Sequence, residues 1–303
     1  MKCSSIALIH PGKALLPELE VYQRFLCKNG YEVAILENPL PEVLEDFRIE
    51  WHFMGSDWRP KTPRRIKIHE YVSASVPPFA RVKNALKKRC NVLPDARIFG
   101  DPLVKEEIGF RDNLPFLFRP AGVDASFFKA HPHPAEFDLV YSGAMDGVRN
   151  LIPWISHVLS GLPGARLLLV GQPSAAIWKA FKAHPGVVFS GKVPYADVSA
   201  LLAKAEFGLN LIPGKYPFFI QAPLKLLEYC AVGLKVISTP TAWVRQFERD
   251  RQGRFFYLGE KSAALSWEQL RHFPFSPPQV DDLIWDRLLE SSGIPALLGR
   301  LTE

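Results

Sequence analysis

Short runs of consecutive apolar residues alternate with stretches in which apolar residues recur every three or four positions, and the alternation continues along the whole 303-residue chain. Runs of four to six apolar residues bounded by turn residues predict buried strands, and the three-to-four recurrence predicts amphipathic helices. The first forty residues set the theme. SIALIH is followed by a Pro/Gly turn, the helical pattern LPELEVYQRFLCKNG with Gly30 where a helix C-cap belongs, and a second strand, YEVAIL. This β-loop-α-β unit opens a doubly wound sheet. RIEWHFMG, RRIKIHEYVSAS, DARIFG and PFLFRPAGVD each predict a further short strand followed by a polar or Gly-containing loop. Ligands of parallel sheets bind at the carboxyl ends of the strands, so residues in those loops are the ones to watch.

A second series of strands begins at FDLVYSGAMDG and continues through ARLLLVGQP, GVVFSGKVP, FGLNLIP and LKVISTP. The helical patterns NLIPWISHVLSGL, SAAIWKAFKAH, YADVSALLAKA and PLKLLEYCAVG fall between them, which predicts a second doubly wound domain. The expected fold is therefore α/β, two Rossmann-like domains facing a cleft, with the first over 1–128 and the second over 138–278. KAHPHPAEF, residues 129–137, has no apolar period and reads as the linker. Its His131 and His133 lack a third ligand nearby, a weak metal signal. Residues 279–303 predict a terminal amphipathic helix, broken near Gly293 and Pro295 and packing back toward the first domain.

Composition changes this picture little. With 48% hydrophobic and 22% charged residues the chain is too apolar for disorder. The start, MKCSSIALIHPG, lacks the longer apolar region of a secretory signal, and no stretch approaches the roughly 18 apolar residues of a membrane span. Cys3, Cys27, Cys90 and Cys230 are scattered and read as reduced cytosolic thiols. Charge is less ordinary. The segment from Trp58 to Arg97 holds eleven basic residues against two acidic ones, although the whole chain carries a net charge of only +6. One basic face is expected, and nucleic acid, anionic lipid or a phosphorylated substrate all suit it. A solvated helix surface over 81–89 is the plainer reading.

Candidate chemistry centres on QAPLKLLEYCAVGLKVISTP, residues 221–240. Pro223 fits the first turn of a helix, where its missing donor costs nothing. Lys225 and Glu228, three apart, share a face near the helix N-terminus, where free backbone donors and an ammonium favour an anion. Glu228 suits sugar hydroxyls, so the pair fits a nucleotide diphosphate, with Lys225 on phosphate and Glu228 on ribose. Spacing alone fits equally well a surface ion pair worth about 0.3 kcal/mol.

FRPAGVDASFF, LVYSGAMDGVRNL, LLLVGQP, VVFSGKVPYADVSALLAKAEFGLNLIP and PLKLLEYCAVGLKVISTP, in this order, resemble the donor-binding half of the GT-B glycosyltransferases, most closely family 4, the group 1 glycosyl transferases. The resemblance covers about residues 117–240. It implies that the loop after Gly143 meets the donor pyrophosphate, with Arg149 in the place of the family's basic residue six after the glycine. It nominates Lys192 and Val193 for the nucleobase, Lys225 for phosphate and Glu228 for ribose. Two departures stand out: Ala144 replaces a frequent arginine, and Gln221 occupies the place of the first of two glutamates, leaving retaining and inverting outcomes open.

Glycosyl transfer needs an activated acceptor hydroxyl and a stabilised leaving diphosphate. The second task falls to Arg149 and Lys225, with no cofactor and no metal expected in a fold of this type. For the first, His69 and Glu70 follow a strand and are the expected base, with Asp57 in reserve. Gly12 and Lys13, after the first strand, are expected on the acceptor side, and a single glycine is too little for a dinucleotide site. The partners implied are a nucleotide-sugar donor, a glycan or lipid-linked acceptor in cell-surface polysaccharide synthesis and an anionic membrane surface met from the cytoplasm. Nucleic acid is not among them, since no recognition motif accompanies the basic run. The alternative is a catalytically silent GT-B-like protein that binds a glycan or a partner.

Overall fold

The computed structural model describes residues 4–12, 16–53, 55–130, 135–259 and 265–303. His131, His133, Lys13 and Cys3 lie outside the described residues. The chain divides into two compact units, residues 1–122 with 282–303, and residues 123–281.

Unit 1 is built on six parallel strands: β1 (Ser5–His10), β2 (Glu32–Glu37), β3 (Ile49–Phe53), β4 (Ile66–Tyr71), β5 (Ala96–Phe99) and β6 (Phe116–Phe118). Their order is β2-β1-β3-β4-β5-β6. The helices α1 (Glu18–Lys28), α2 (Ala80–Cys90) and α3 (Pro102–Ile108) lie between successive strands. β3 and β4 are buried along their whole length, as strands covered on both faces must be. The direction of winding reverses between β1 and β3, so the loops after these two strands flank the switch point.

Unit 2 opens with α4 (Ala125–Lys129) and contains β7 (Phe137–Ser142), β8 (Leu167–Val170), β9 (Val187–Gly191), β10 (Ala205–Asn210), β11 (Lys235–Ser238) and β12 (Phe256–Tyr257). Its order is β12-β11-β10-β7-β8-β9, again all parallel, with the switch point between β7 and β10. The connecting helices are α5 (Leu151–Gly161), α6 (Ala175–Phe181), α7 (Tyr195–Leu202), α8 (Leu224–Val232), α9 (Ala242–Asp250) and α10 (Trp267–His272). One apolar core, from Leu139 and Tyr141 on β7 to Leu265 and Leu270, runs under this sheet.

The boundary falls six residues before the expected end of the first domain. The Asp124 carboxylate accepts from Ser126 N and starts α4, whose Phe127 is fully buried against Tyr195 at the start of α7. Residues 123–128 therefore belong to unit 2. At the other end α11 (Trp285–Ser291) and α12 (Ile294–Thr302) belong to unit 1, separated by Gly293 in the left-handed region.

Candidate functional site

The carboxyl edge of the unit 2 sheet gathers the donor-side residues. Gly143 follows β7 with φ +110°, a conformation that favours glycine, and a Cβ placed there would sit 3.4 Å from Lys225 Nζ. The backbone thus runs against the lysine because no side chain intervenes. Lys225 is the second residue of α8, with Pro223 just outside the helix at the N-cap position rather than inside the first turn. The N-cap side chain caps none of the N–H groups at this end, and Leu226 N–H donates to the Pro223 carbonyl at 2.9 Å.

Lys225 as a residue is partly exposed, but its Nζ is enclosed and has no hydrogen-bond partner among the described residues. The ammonium stands 3.7 Å from the centre of the Tyr141 ring, a cation–π contact that replaces water on one side only. Burial holds its pKa well below the usual lysine value, Arg149 adds to this, and Glu228 and Asp146 work in the opposite direction. Glu228, one turn on, is buried and accepts a 2.9 Å hydrogen bond from the Tyr195 hydroxyl. Burial raises its pKa to about 7 in spite of Tyr195 and Lys225. The Gln221 side-chain amide nitrogen is likewise enclosed without a partner among the described residues.

Arg149 reaches this edge already engaged. Its Nη1 donates to Asp146 at 2.8 Å, its backbone N–H donates to the same carboxylate at 3.1 Å, and its guanidinium lies 5.5 Å from the Phe218 ring. Where Ala144 leaves an arginine out, its carbonyl accepts from the Tyr141 hydroxyl at 3.0 Å. The loops after β7, β8 and β9 are knitted together: Met145 bridges to Pro173 and Gly171 to Gly191. Beside them opens a cavity of about 640 Å³ lined by Gln172, Pro173, Trp178, Phe189, Ser190 and Gly191. Lys192 and Val193 continue from this rim into the turn before α7. Tyr141, Asp146, Tyr195 and Trp178 were not among the expected site residues. Tyr195 had a faint signal, lying two positions beyond the Lys192-Val193 pair.

In unit 1 the residues expected to supply the base, His69 and Glu70, and Asp57 in reserve, are all interior. Glu70 is wholly enclosed: Arg119 Nε donates to it at 2.9 Å and Arg119 Nη2 lies closer still, Trp51 Nε1 donates at 2.9 Å, and the Tyr22 hydroxyl donates at 3.2 Å. Arg119, itself buried, packs over the rings of Tyr22 and Trp285. Glu70 is therefore a core anchor, with no oxygen turned to solvent. His69 and Asp57 are also interior and bonded to each other, His69 Nε2 to Asp57 Oδ2 at 3.1 Å. Lys67 adds 2.9 Å to Asp57 and 3.1 Å to Glu50, and Arg65 adds 2.9 Å to Glu50. Burial opposes ionisation here, but the hydrogen bonds of His52, Lys67 and Arg65 outweigh it and hold Glu50 at about 2. Asp57 is held below the carboxylate range by His69, His52 and Lys67, again against burial, while burial lowers His69. Alternation on β3 and β4 aimed these groups into the sheet's own layers. Gly12, with φ +65°, sits against the Glu37 carboxylate after β1, where a side chain would collide. Among the described residues no group of three His, Cys, Asp or Glu side chains is arranged to hold a metal ion.

Two doubly wound parallel sheets, the second presenting Lys225 and Glu228 at its carboxyl edge, have the architecture of the GT-B fold. Residues 136–268 match the family model described as Glycosyl transferases group 1, a match that lies within unit 2. Among solved structures, sucrose-phosphate synthase from Thermosynechococcus elongatus is 14% identical over 99% of this chain and 98% of its own, with a TM-score of 0.67. HepE from Anabaena, in complex with UDP, is 12% identical over 99% of both chains, with a TM-score of 0.62. AviGT4, a glycosyltransferase involved in avilamycin A biosynthesis, is 15% identical over 99% of this chain and 96% of its own, with a TM-score of 0.59. At such identities these likenesses establish the fold. No curated protein matches the sequence.

Proposed function

We propose that the protein transfers a sugar from a nucleotide-sugar donor held on unit 2 to a glycan or lipid-linked acceptor in cell-surface polysaccharide synthesis. The observation that carries the donor half is Lys225, whose enclosed Nζ has no hydrogen-bond partner among the described residues. Leaving a charge buried and unpaired costs several kcal/mol, on the order of 3–5. A diphosphate set between Gly143, Lys225 and the first turn of α8 supplies the missing partner and draws the proton back onto the amine. Arg149 then exchanges part of its Asp146 contact for phosphate. Together these fixed cations meet the charge of the departing diphosphate, in a scheme with no metal ion.

Glu228, held by Tyr195, accepts from the ribose hydroxyls. The cavity beside Lys192 and Val193 takes the base, with Trp178 and Phe189 offering ring faces. Gln221, whose amide nitrogen is enclosed without a partner among the described residues, binds hydroxyls of the transferred sugar, as an uncharged amide can. The acceptor side falls to unit 1, at the loop carrying Gly12. The basic stretch from Trp58 to Arg97 supports an acceptor carried at an anionic membrane face on the cytoplasmic side.

HepE is described in complex with UDP, so the uridine series is the first to try. Thermal-shift titration against UDP, GDP, ADP, CMP and their sugar conjugates is expected to show stabilisation by one series, about 2.7 kcal/mol at a hundred times the dissociation constant. Lys225→Ala and Glu228→Ala should each weaken it. A folded protein that none of these ligands stabilises overturns the reading. It would leave the silent binding protein, which Gln221 in the place of a charged residue favours.

A further inference from the structure

The helix α2 is built inside out. Of its eleven residues only Ala80 and Asn84 are buried, and Asn84 is occupied in accepting from the Ser75 backbone N–H at 3.0 Å. Its larger apolar side chains point outward: Val82 is 56% and Leu86 52% exposed. Phe79, one turn before Val82 and 77% exposed, continues the same stripe, and Cys90 lies on it one turn after Leu86. A surface helix ordinarily turns this face to the core. Phe79 also has φ +59° and ψ +35°, a left-handed conformation that is unfavourable for a bulky residue and is held here with the ring in solvent. Beyond the helix, Leu93 is 56% exposed. Trp58, 72% exposed, joins this end, because the N–H of its neighbour Asp57 donates to the Asn91 side-chain oxygen and the Asp57 carbonyl accepts from Val92 N–H.

The charges frame this stripe. Lys83 and Lys87 flank it on one side and Arg89 on the other, Arg81 and Lys88 complete the set, and no acidic residue stands on the helix. We infer that the outward face of α2, from Phe79 to Leu93 with Trp58 beside it, is a docking surface for an anionic bilayer, its apolar stripe among the acyl chains and its cations against lipid phosphates. This rests on reading the basic segment as lipid-facing, and not on the donor site.

A bilayer uses both halves of the surface at once. Nucleic acid would satisfy the cations and leave Val82 and Leu86 in water. An interfacial helix with lysine and arginine beside aliphatic and aromatic residues gains from apolar burial and from anionic headgroups together.

Flotation of the intact protein with phosphatidylglycerol-containing vesicles, and with pure phosphatidylcholine vesicles, tests it. The wild type is expected to float with the anionic vesicles and to retain part of that binding in high salt. Val82→Ser/Leu86→Ser should lower the partition at least about tenfold and abolish the salt-resistant part. Lys87→Gln/Lys88→Gln should lose mainly the salt-sensitive part. Since these side chains lie outside the core, melting temperature and nucleotide-induced stabilisation should be unchanged. A serine variant that floats like wild type overturns the inference. So does a wild type that ignores anionic vesicles, including one that binds a DNA homopolymer instead. If vesicle binding holds while no nucleotide stabilises the protein, the donor reading fails and the docking surface stands.

Discussion

Both units bury ionisable side chains beside parallel sheets of six strands, but in opposite ways. In unit 1 three buried carboxylates are matched: Glu70 by Arg119, Trp51 and Tyr22, and Glu50 and Asp57 by Lys67, Arg65 and the two histidines. In unit 2 Lys225 and Glu228 share a helix face one turn apart, yet no ion pair joins them, and Nζ rests on a ring instead of an oxygen. A satisfied buried charge holds a fold in one arrangement, and an unsatisfied one holds a place for something absent. Burial alone therefore does not mark a functional residue. The state of its hydrogen bonds separates the anchor at Glu70 from the site at Lys225.

The strongest way to break this contrast is to remove one partner in unit 1. Arg119→Ala leaves the Glu70 carboxylate buried and unpaired, and should destabilise the protein by about 3–5 kcal/mol in chemical denaturation. Replacing both partners, Arg119→Met with Glu70→Leu, should recover most of that loss, because the second charge no longer needs a partner. If the single and double variants are equally unstable, the pair is not what holds this part of unit 1.

A pH series sharpens the comparison next. Glu228 has a folded pKa of about 7 against an ordinary 4.5, so the folded state holds its proton more tightly than the unfolded state. Its ionisation penalty is absent below pH 4.5, grows as pH rises from there, and is complete above about pH 7, amounting to roughly 3 kcal/mol. Glu50, held at about 2, has the opposite sign: its contribution is fully present above 4.5 and disappears as pH falls through about 2. Unfolding of the wild type should accordingly lose stability between about pH 5 and pH 7.5 through Glu228, and Glu228→Gln should flatten that slope while leaving the acid limb in place. An unchanged slope in the variant would show that Glu228 ionises freely.

Lys225→Ala should behave unlike any substitution in the unit 1 network. Removing an unmatched ammonium is expected to leave the ligand-free protein as stable as before or more so, while nucleotide affinity falls on the order of tenfold to a hundredfold, as for a charge-assisted contact of about 1.5–3 kcal/mol. Calorimetric titration together with urea unfolding of the same variant separates the two effects. A destabilised protein with normal affinity would return Lys225 to the structural class.

Much of this was legible in the apolar pattern, and the failures have a common cause. Eleven of the strands follow apolar runs at the expected places, whereas β12 has two residues, too short to show a period. Lys225 and Glu228 could be singled out because both lie on one helix, where spacing fixes a shared face. The fate of Glu70 could not, because its partner Arg119 comes 49 residues later on a different element, and Tyr195 is 33 residues from Glu228. The apolar run sets His69 and Glu70 after a strand, but the strand extends to Tyr71 and both lie inside it, buried. The outward stripe of α2 was equally hidden, since a period of three to four locates an apolar face without saying which side of the helix the core occupies.

The smallest test acts on the backbone. Gly143 has φ +110°, where an L residue is strained, and an alanine Cβ would stand 3.4 Å from Lys225 Nζ, close but not in collision. Gly143→Ala should therefore cost about 1 kcal/mol in stability, from strain alone. Because the methyl group also occupies the approach to the ammonium, nucleotide affinity should fall by more than that strain explains. Alanine at Gly30 supplies the control, having φ +87° and open space around the new methyl group. Similar stability losses in both variants, with affinity reduced only in Gly143→Ala, would mean that the glycine keeps the lysine accessible to an anion. Equal affinity in both would mean that the diphosphate does not pass over Gly143, and the ligand that Lys225 awaits would have to approach from the α8 side.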